Sequence, residues 1–92
     1  MRESAFQSKV IKFLKENEVW YVKYWAGSKF TKEGIPDILA CINGTFHGIE
    51  LKNETGQPSK LQLYNINKII KCGGEAYILR PQDFNKWIER WF

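Results

Sequence analysis

Apolar positions along the chain change period several times, and each change marks an element. From Glu3 to Glu16, Phe6, Val10, Phe13 and Leu14 fall at helical spacing with lysines on the other side, which predicts an amphipathic helix. Val19 to Ala26 is rich in Trp, Tyr and Val and reads as a strand. Gly27 to Gly34 is a Gly-bounded basic loop carrying Lys29 and Lys32. Two short apolar runs follow, Ile38 to Ile42 and Phe46 to Leu51, joined by Asn43-Gly44. Asn-Gly between such runs is the strongest short-range hairpin signal, because a type I′ turn needs positive φ at both central residues.

Asn53 to Pro58 reads as a loop, and Ser59 can cap a second helix that ends at about Cys72 before Gly73-Gly74. Glu75 to Leu79 is a fourth strand. Pro81 suits the first turn of a last helix, on which Phe84, Trp87, Ile88 and Trp91 form one apolar stripe. The order is α-β-β-β-α-β-α, an α/β fold with a small mixed sheet flanked by helices, in one domain spanning residues 1–92.

The hairpin has a chemical consequence. If Asn43-Gly44 is a two-residue loop, Ile42 pairs with Thr45 and Asp37 falls opposite Glu50. Directly opposed residues share a face, with Cβ atoms about 4.5–5.5 Å apart. Alternation puts Lys52 on that face and turns Ile49 and Leu51 to the other. Two opposed carboxylates repel, and a divalent cation between them reverses the sign of that interaction. Mg²⁺ suits such a place, since it takes one or two protein carboxylates and fills its remaining positions with water and phosphate oxygens. The competing reading is a solvated sheet face on which Lys52 merely neutralises the two acids.

Charge adds a modest argument. Fourteen Lys and Arg against ten acidic residues leave a net charge of +4, which suits a polyanionic partner without specifying one. Cys41 and Cys72 have no ligand-like spacing and read as reduced structural thiols. Neither a signal-type segment nor a stretch of membrane-spanning length is present, so the expectation is a cytoplasmic protein, in whichever cell hosts it, with no membrane partner. His47 falls on the face opposite Glu50, outside the acidic patch. Trp20, Tyr21, Tyr24 and Trp25 read as core or interface before a base-stacking platform. Trp91 and Phe92 are poor solvent-facing residues whose burial against a second subunit would explain them.

Gly34-Ile35-Pro36-Asp37 followed by Glu50-Leu51-Lys52 resembles the signature of the PD-(D/E)XK nuclease superfamily, and within it the VRR-NUC family of small virus-type and replication-repair nucleases. The likeness covers nearly the whole chain. Glu3-Ser4-Ala5-Phe6-Gln7 is similar to that family's opening helix, and Gly34-Ile35-Pro36-Asp37-Ile38-Leu39 to its Asp-bearing strand. Gly48-Ile49-Glu50-Leu51-Lys52 resembles the Glu-x-Lys strand, and Ser59-Lys60-Leu61-Gln62 the helix that presents a glutamine.

The resemblance implies a restriction-endonuclease-like fold and a Mg²⁺- or Mn²⁺-dependent DNA nuclease. Asp37 and Glu50 would hold the metal, with the Leu51 carbonyl as a backbone ligand and Glu3 acting through water or a second ion. Lys52 would serve the attacking water or the developing charge, and Gln62 would hydrogen-bond the water or Lys52. Lys29 and Lys32 would track phosphates. A homodimer cutting branched DNA such as four-way junctions is implied, with a replication or repair protein as a further partner. The alternative is a non-cleaving nucleic-acid-binding module or accessory subunit on the same fold.

Overall fold

The computed structural model describes residues 1–25, 27–29 and 31–92. Its elements follow the order α-β-β-β-α-β-α: α1 Glu3–Glu16, β1 Trp20–Lys23, β2 Ile38–Ile42, β3 Thr45–Leu51, α2 Lys60–Lys71, β4 Glu75–Leu79 and α3 Phe84–Trp91. A 3₁₀ turn, Pro81–Asp83, leads into α3, so Pro81 sits in a tighter turn than the helix start expected for it.

The strands lie in the order β1-β2-β3-β4, with the first two pairs antiparallel and β3–β4 parallel across the α2 crossover. Asn43 (φ 50°) and Gly44 (φ 81°) both take positive φ, as the two-residue turn requires, and Ile42 pairs with Thr45. That register carries through to Ile38 opposite Ile49.

Alternation divides the sheet into two unlike faces. Ile38, Ala40, Ile42, Ile49, Leu51 and Leu79 turn to one side and close a core with Phe6, Val10 and Leu14 of α1 and Phe84 and Trp87 of α3. Side chains of this size each contribute roughly 1.5–3 kcal/mol on full burial. α2 covers only part of the other face, over β3 and β4. There Gly48 is required by close approach: a Cβ would meet Ile69 Cδ1 at 2.8 Å and Pro36 Cγ at 3.0 Å. Pro36 therefore packs flat against the sheet, and it fixes the chain just before Asp37.

Two expectations change. β1 is shorter than Val19–Ala26, because among the described residues it pairs with β2 alone, and that ladder stops at Lys23 opposite Ile38; Ala26 lies outside the described residues. Phe30, in the Gly27–Gly34 loop, lies outside them too. Cys41 and Cys72 are exposed rather than structural: Cys41 belongs to an apolar run, but it points to the face that α2 leaves bare.

The C-terminal aromatics are also used differently. Trp91 lies 4.5 Å from the His47 ring and stacks on Tyr77, and Phe92 meets Phe13 at 4.9 Å and Trp87 at 5.4 Å. Trp91 is thus packed within its own chain, whereas Phe92 keeps 45% of its surface exposed, so only the end of the stripe is left for a second subunit.

Candidate active site

Asp37 stands one residue before β2, at the point where the chain leaves the loop and joins the sheet. Its backbone carbonyl accepts from Tyr24 N–H at 2.8 Å, and its Oδ2 accepts from Leu51 N–H at 2.8 Å. The side chain thus crosses from the end of β2 to β3, where Glu50 rises on the same face. The hairpin register brings the two acids together as the Asn-Gly turn implied.

Glu50 is 1% exposed, an unusual state for a carboxylate. Its Oε2 accepts from Gln62 Nε2 at 3.0 Å and lies 3.7 Å from Lys52 Nζ. Its Oε1 is buried with no hydrogen-bond partner. Burial first, and then the negative charge of Asp37, push the Glu50 carboxyl up to about 8; Lys52 opposes the shift and Glu3 adds to it. Glu3, exposed at the first turn of α1, is thereby within electrostatic reach of the pair.

Gln62 has a double duty that its position in the sequence explains. Ser59 caps α2 by accepting from Gln62 N–H at 3.1 Å, while Gln62 Oε1 accepts from Ser59 N–H at 2.8 Å. This capping box fixes the amide plane, and its Nε2 is left to face Glu50. Leu51 enters the site through its main chain, with its side chain in the core.

Lys29 and Lys32 are exposed on the loop. Lys32 N–H donates to the Tyr24 hydroxyl at 2.8 Å, which ties the loop back to the chain beyond β1. His47 lies on the opposite face, fully buried. Trp87 Nε1–H donates to Tyr77 Oη at 2.8 Å, and the same hydroxyl is hydrogen-bonded to His47 Nδ1 at 2.8 Å. Burial lowers the His47 pKa, an effect Glu75 partly offsets. This is a neutral histidine of the core, as its register implied.

The donor set fits a hard divalent cation. A buried carboxyl pushed up to about 8 beside a second carboxylate, with one oxygen unpartnered, is a group that such an ion would satisfy on displacing its proton. Among the described residues no three His, Cys, Asp or Glu side chains gather closely enough to enclose an ion by themselves, so water and substrate oxygens would complete its shell. Arg80 and Asn53, which brace the loop beyond Lys52, escaped the sequence reading; neither belongs to a periodic pattern or a short motif.

A mixed sheet with this topology, carrying Asp37, Glu50 and Lys52 on one face, has the fold and signature of a PD-(D/E)XK nuclease. The family model described as archaeal Holliday junction resolvase (Hjc) matches residues 2–88, and the chain belongs to that family. Among solved structures it is similar to one titled VRR_NUC domain, with a TM-score of 0.81 and 22% identity over 98% of this chain and 97% of that one. The VRR-NUC resemblance thus holds in the fold, and the matching family places the chain among nucleases. No curated protein sequence matches the chain.

Proposed function

We propose that this chain is a divalent-metal-dependent DNA endonuclease, selective for branched DNA such as four-way junctions and active as a homodimer. The observation that carries the reading is Glu50, a buried carboxylate beside Asp37 with one oxygen lacking any donor. Asp37 and Glu50 would hold Mg²⁺ or Mn²⁺, with the Leu51 carbonyl and, through water, Glu3 as further ligands. Bound there, the cation would polarise the scissile phosphate and make water a nucleophile near neutral pH. Gln62 occupies Glu50 Oε2, which leaves Oε1 for the ion. Lys52 places its ammonium beside the pair, where it serves the attacking water or the negative charge gathering on the phosphate.

Support for the substrate comes from the family description, which names Holliday junctions, and from the net charge of +4. Lys29 and Lys32 add phosphate contacts that are blind to sequence. A replication or repair protein that delivers the chain to such DNA is the further partner this activity implies. Incubating the purified protein with linear, flapped and four-way-junction DNA tests the reading. Cleavage is expected on the junction with Mg²⁺ or Mn²⁺ and not with EDTA, while Ca²⁺ supports binding with little turnover. Full activity in EDTA would remove the metal. Binding without cleavage under every metal would make the chain a recruiting module.

Phe92 alone is a small surface for a dimer, and the bare sheet face offers a larger one. Trp20 pairs with Cys41 and Cys41 with Phe46, so the three form one row across β1, β2 and β3. Trp20 is 63% and Phe46 44% exposed. The row has no charge to attract a polyanion, and a second copy burying it would leave both carboxylate sites on one assembly, matched to a two-fold substrate. Light scattering at micromolar concentration is expected to give about twice the 10.8 kDa chain mass. Phe46→Glu should return it to one. A wild-type monomer under those conditions would remove the dimer.

A further inference from the structure

Arg80 follows the last residue of β4, where the parallel pairing of Leu51 with Leu79 runs out. Lys52 N–H still donates to Leu79 O at 3.2 Å, so Lys52 and Arg80 leave the sheet as neighbours. Alternation puts Arg80 on the face of Ile78, and Ile78 is the register partner of Glu50. The Arg80 backbone is held from both sides. It precedes Pro81, which confines it to extended φ/ψ (φ −117°, ψ 158°), and its carbonyl accepts from Asp83 N–H at 3.0 Å in the 3₁₀ turn.

From this anchored position the guanidinium reaches a loop that connects two residues of the site. Arg80 Nη1 donates to Asn53 O at 2.9 Å and to Gly56 O at 2.7 Å. Between those carbonyls the loop is folded on Asn53, whose Oδ1 accepts from Thr55 N–H at 3.1 Å and Gly56 N–H at 2.6 Å. Lys52 lies immediately before this turn, and Ser59 and Gln62 begin α2 just after it. Both Lys52 and Gln62 approach the same oxygen, Glu50 Oε2. The spacing between these two donors is therefore set by a short turn, and one charge-assisted pair of hydrogen bonds ties that turn to the end of β4. Among the described residues no carboxylate pairs with Arg80, so its contacts are to the loop carbonyls.

We propose that Arg80 is a positioning residue of this site: by bridging the Asn53 and Gly56 carbonyls it holds the β3–α2 loop so that Lys52 and Gln62 converge on Glu50. The proposal rests on the nuclease reading, and it concerns a residue that touches neither metal nor substrate. Displacements of about 1 Å at a reacting centre can cost on the order of a hundredfold in rate. Release of the clamp at one remove is expected to cost roughly tenfold or more.

The test compares wild type, Arg80→Gln and Arg80→Lys as full-length proteins cutting a four-way junction with Mg²⁺ under single-turnover conditions. Arg80→Gln should lower the rate constant at saturating DNA by about tenfold, with the reaction amplitude and the Kd for DNA kept within about twofold. Arg80→Lys, whose ammonium can still donate to both carbonyls, should recover most of the rate. Hydrogen exchange supplies a readout independent of cleavage. The Thr55 and Gly56 amides should exchange faster in Arg80→Gln, while those of Ile49 and Leu51 keep wild-type protection. A loss of amplitude at an unchanged rate constant would make Arg80 a prop of the fold. A loss of affinity and of salt dependence alone would make it a phosphate contact, and a wild-type rate constant would end any role. Each of these overturns the proposal. If the wild-type chain cuts no DNA, the nuclease reading fails, and unchanged Thr55 and Gly56 exchange would separately end the clamp.

Discussion

Lys52→Ala is expected to slow single-turnover cleavage by on the order of a hundredfold or more, the scale of losing one positioned proton-transfer or charge-stabilising group. The fold should survive. The Lys52 side chain is 17% exposed and pairs with Glu50 at 3.7 Å, at the edge of the sheet and outside the apolar core, so its truncation costs some stability without removing a core side chain. DNA affinity should weaken only modestly. Replacing Lys29 and Lys32 together should produce the opposite pattern. Affinity falls and the salt dependence of binding flattens by up to about two counterions, while the rate at saturating DNA stays near normal. Single-turnover rates and binding curves at two salt concentrations separate the two sets. A wild-type rate for Lys52→Ala would show that Asp37 and Glu50 do not form the active site proposed for them.

The parts of this site that a reader of the sequence can find are those governed by short-range geometry. Asn43-Gly44 fixes a two-residue turn, the turn fixes the register, and alternation then assigns Asp37, Glu50 and Lys52 to one face and His47 to the other. Gln62 was legible only through the resemblance of Ser59-Lys60-Leu61-Gln62 to the family's helix, and the capping box that aims its amide is seen in the fold. What lay beyond the sequence depends on contacts between distant segments. Arg80 is 24 residues from Gly56, and nothing local records that a guanidinium closes that loop. The Cys41 position reads as buried from its apolar neighbours, yet burial there required a second layer that α2 supplies only over β3 and β4. Trp91 and Phe92 were legible as residues needing cover. Which surface provides it, α1 and β4 of the same chain, is a property of the assembled fold.

Glu50→Gln should stabilise the metal-free protein even as it abolishes cleavage. The Glu50 carboxyl is raised from its usual 4.5 to about 8, chiefly by burial and then by the charge of Asp37. A folded-state pKa above the unfolded value means that the folded protein keeps a proton the unfolded chain has released. The contribution of Glu50 is therefore most favourable below the unfolded pKa and is lost as pH rises towards 8, at up to about 1.4 kcal/mol per pH unit. The loss totals on the order of a few kcal/mol. His47, whose pKa is lowered by burial, acts in the opposite sense below its unfolded value near 6.5 and is silent above pH 7. It cancels when the two proteins are compared at each pH. In EDTA, wild type and Glu50→Gln should differ least near pH 5 and most near pH 8, where the variant melts higher by on the order of 10 °C. Mg²⁺ at pH 8 should raise the melting temperature of wild type, because the ion takes over the charge that burial penalises, and it should do little for the variant. Thermal melts at four pH values, with EDTA and with Mg²⁺, decide the matter. Parallel stability curves for the two proteins from pH 5 to pH 8 would mean that Glu50 is not held protonated beside Asp37, and that the electrostatic case for a cation between them is unsound.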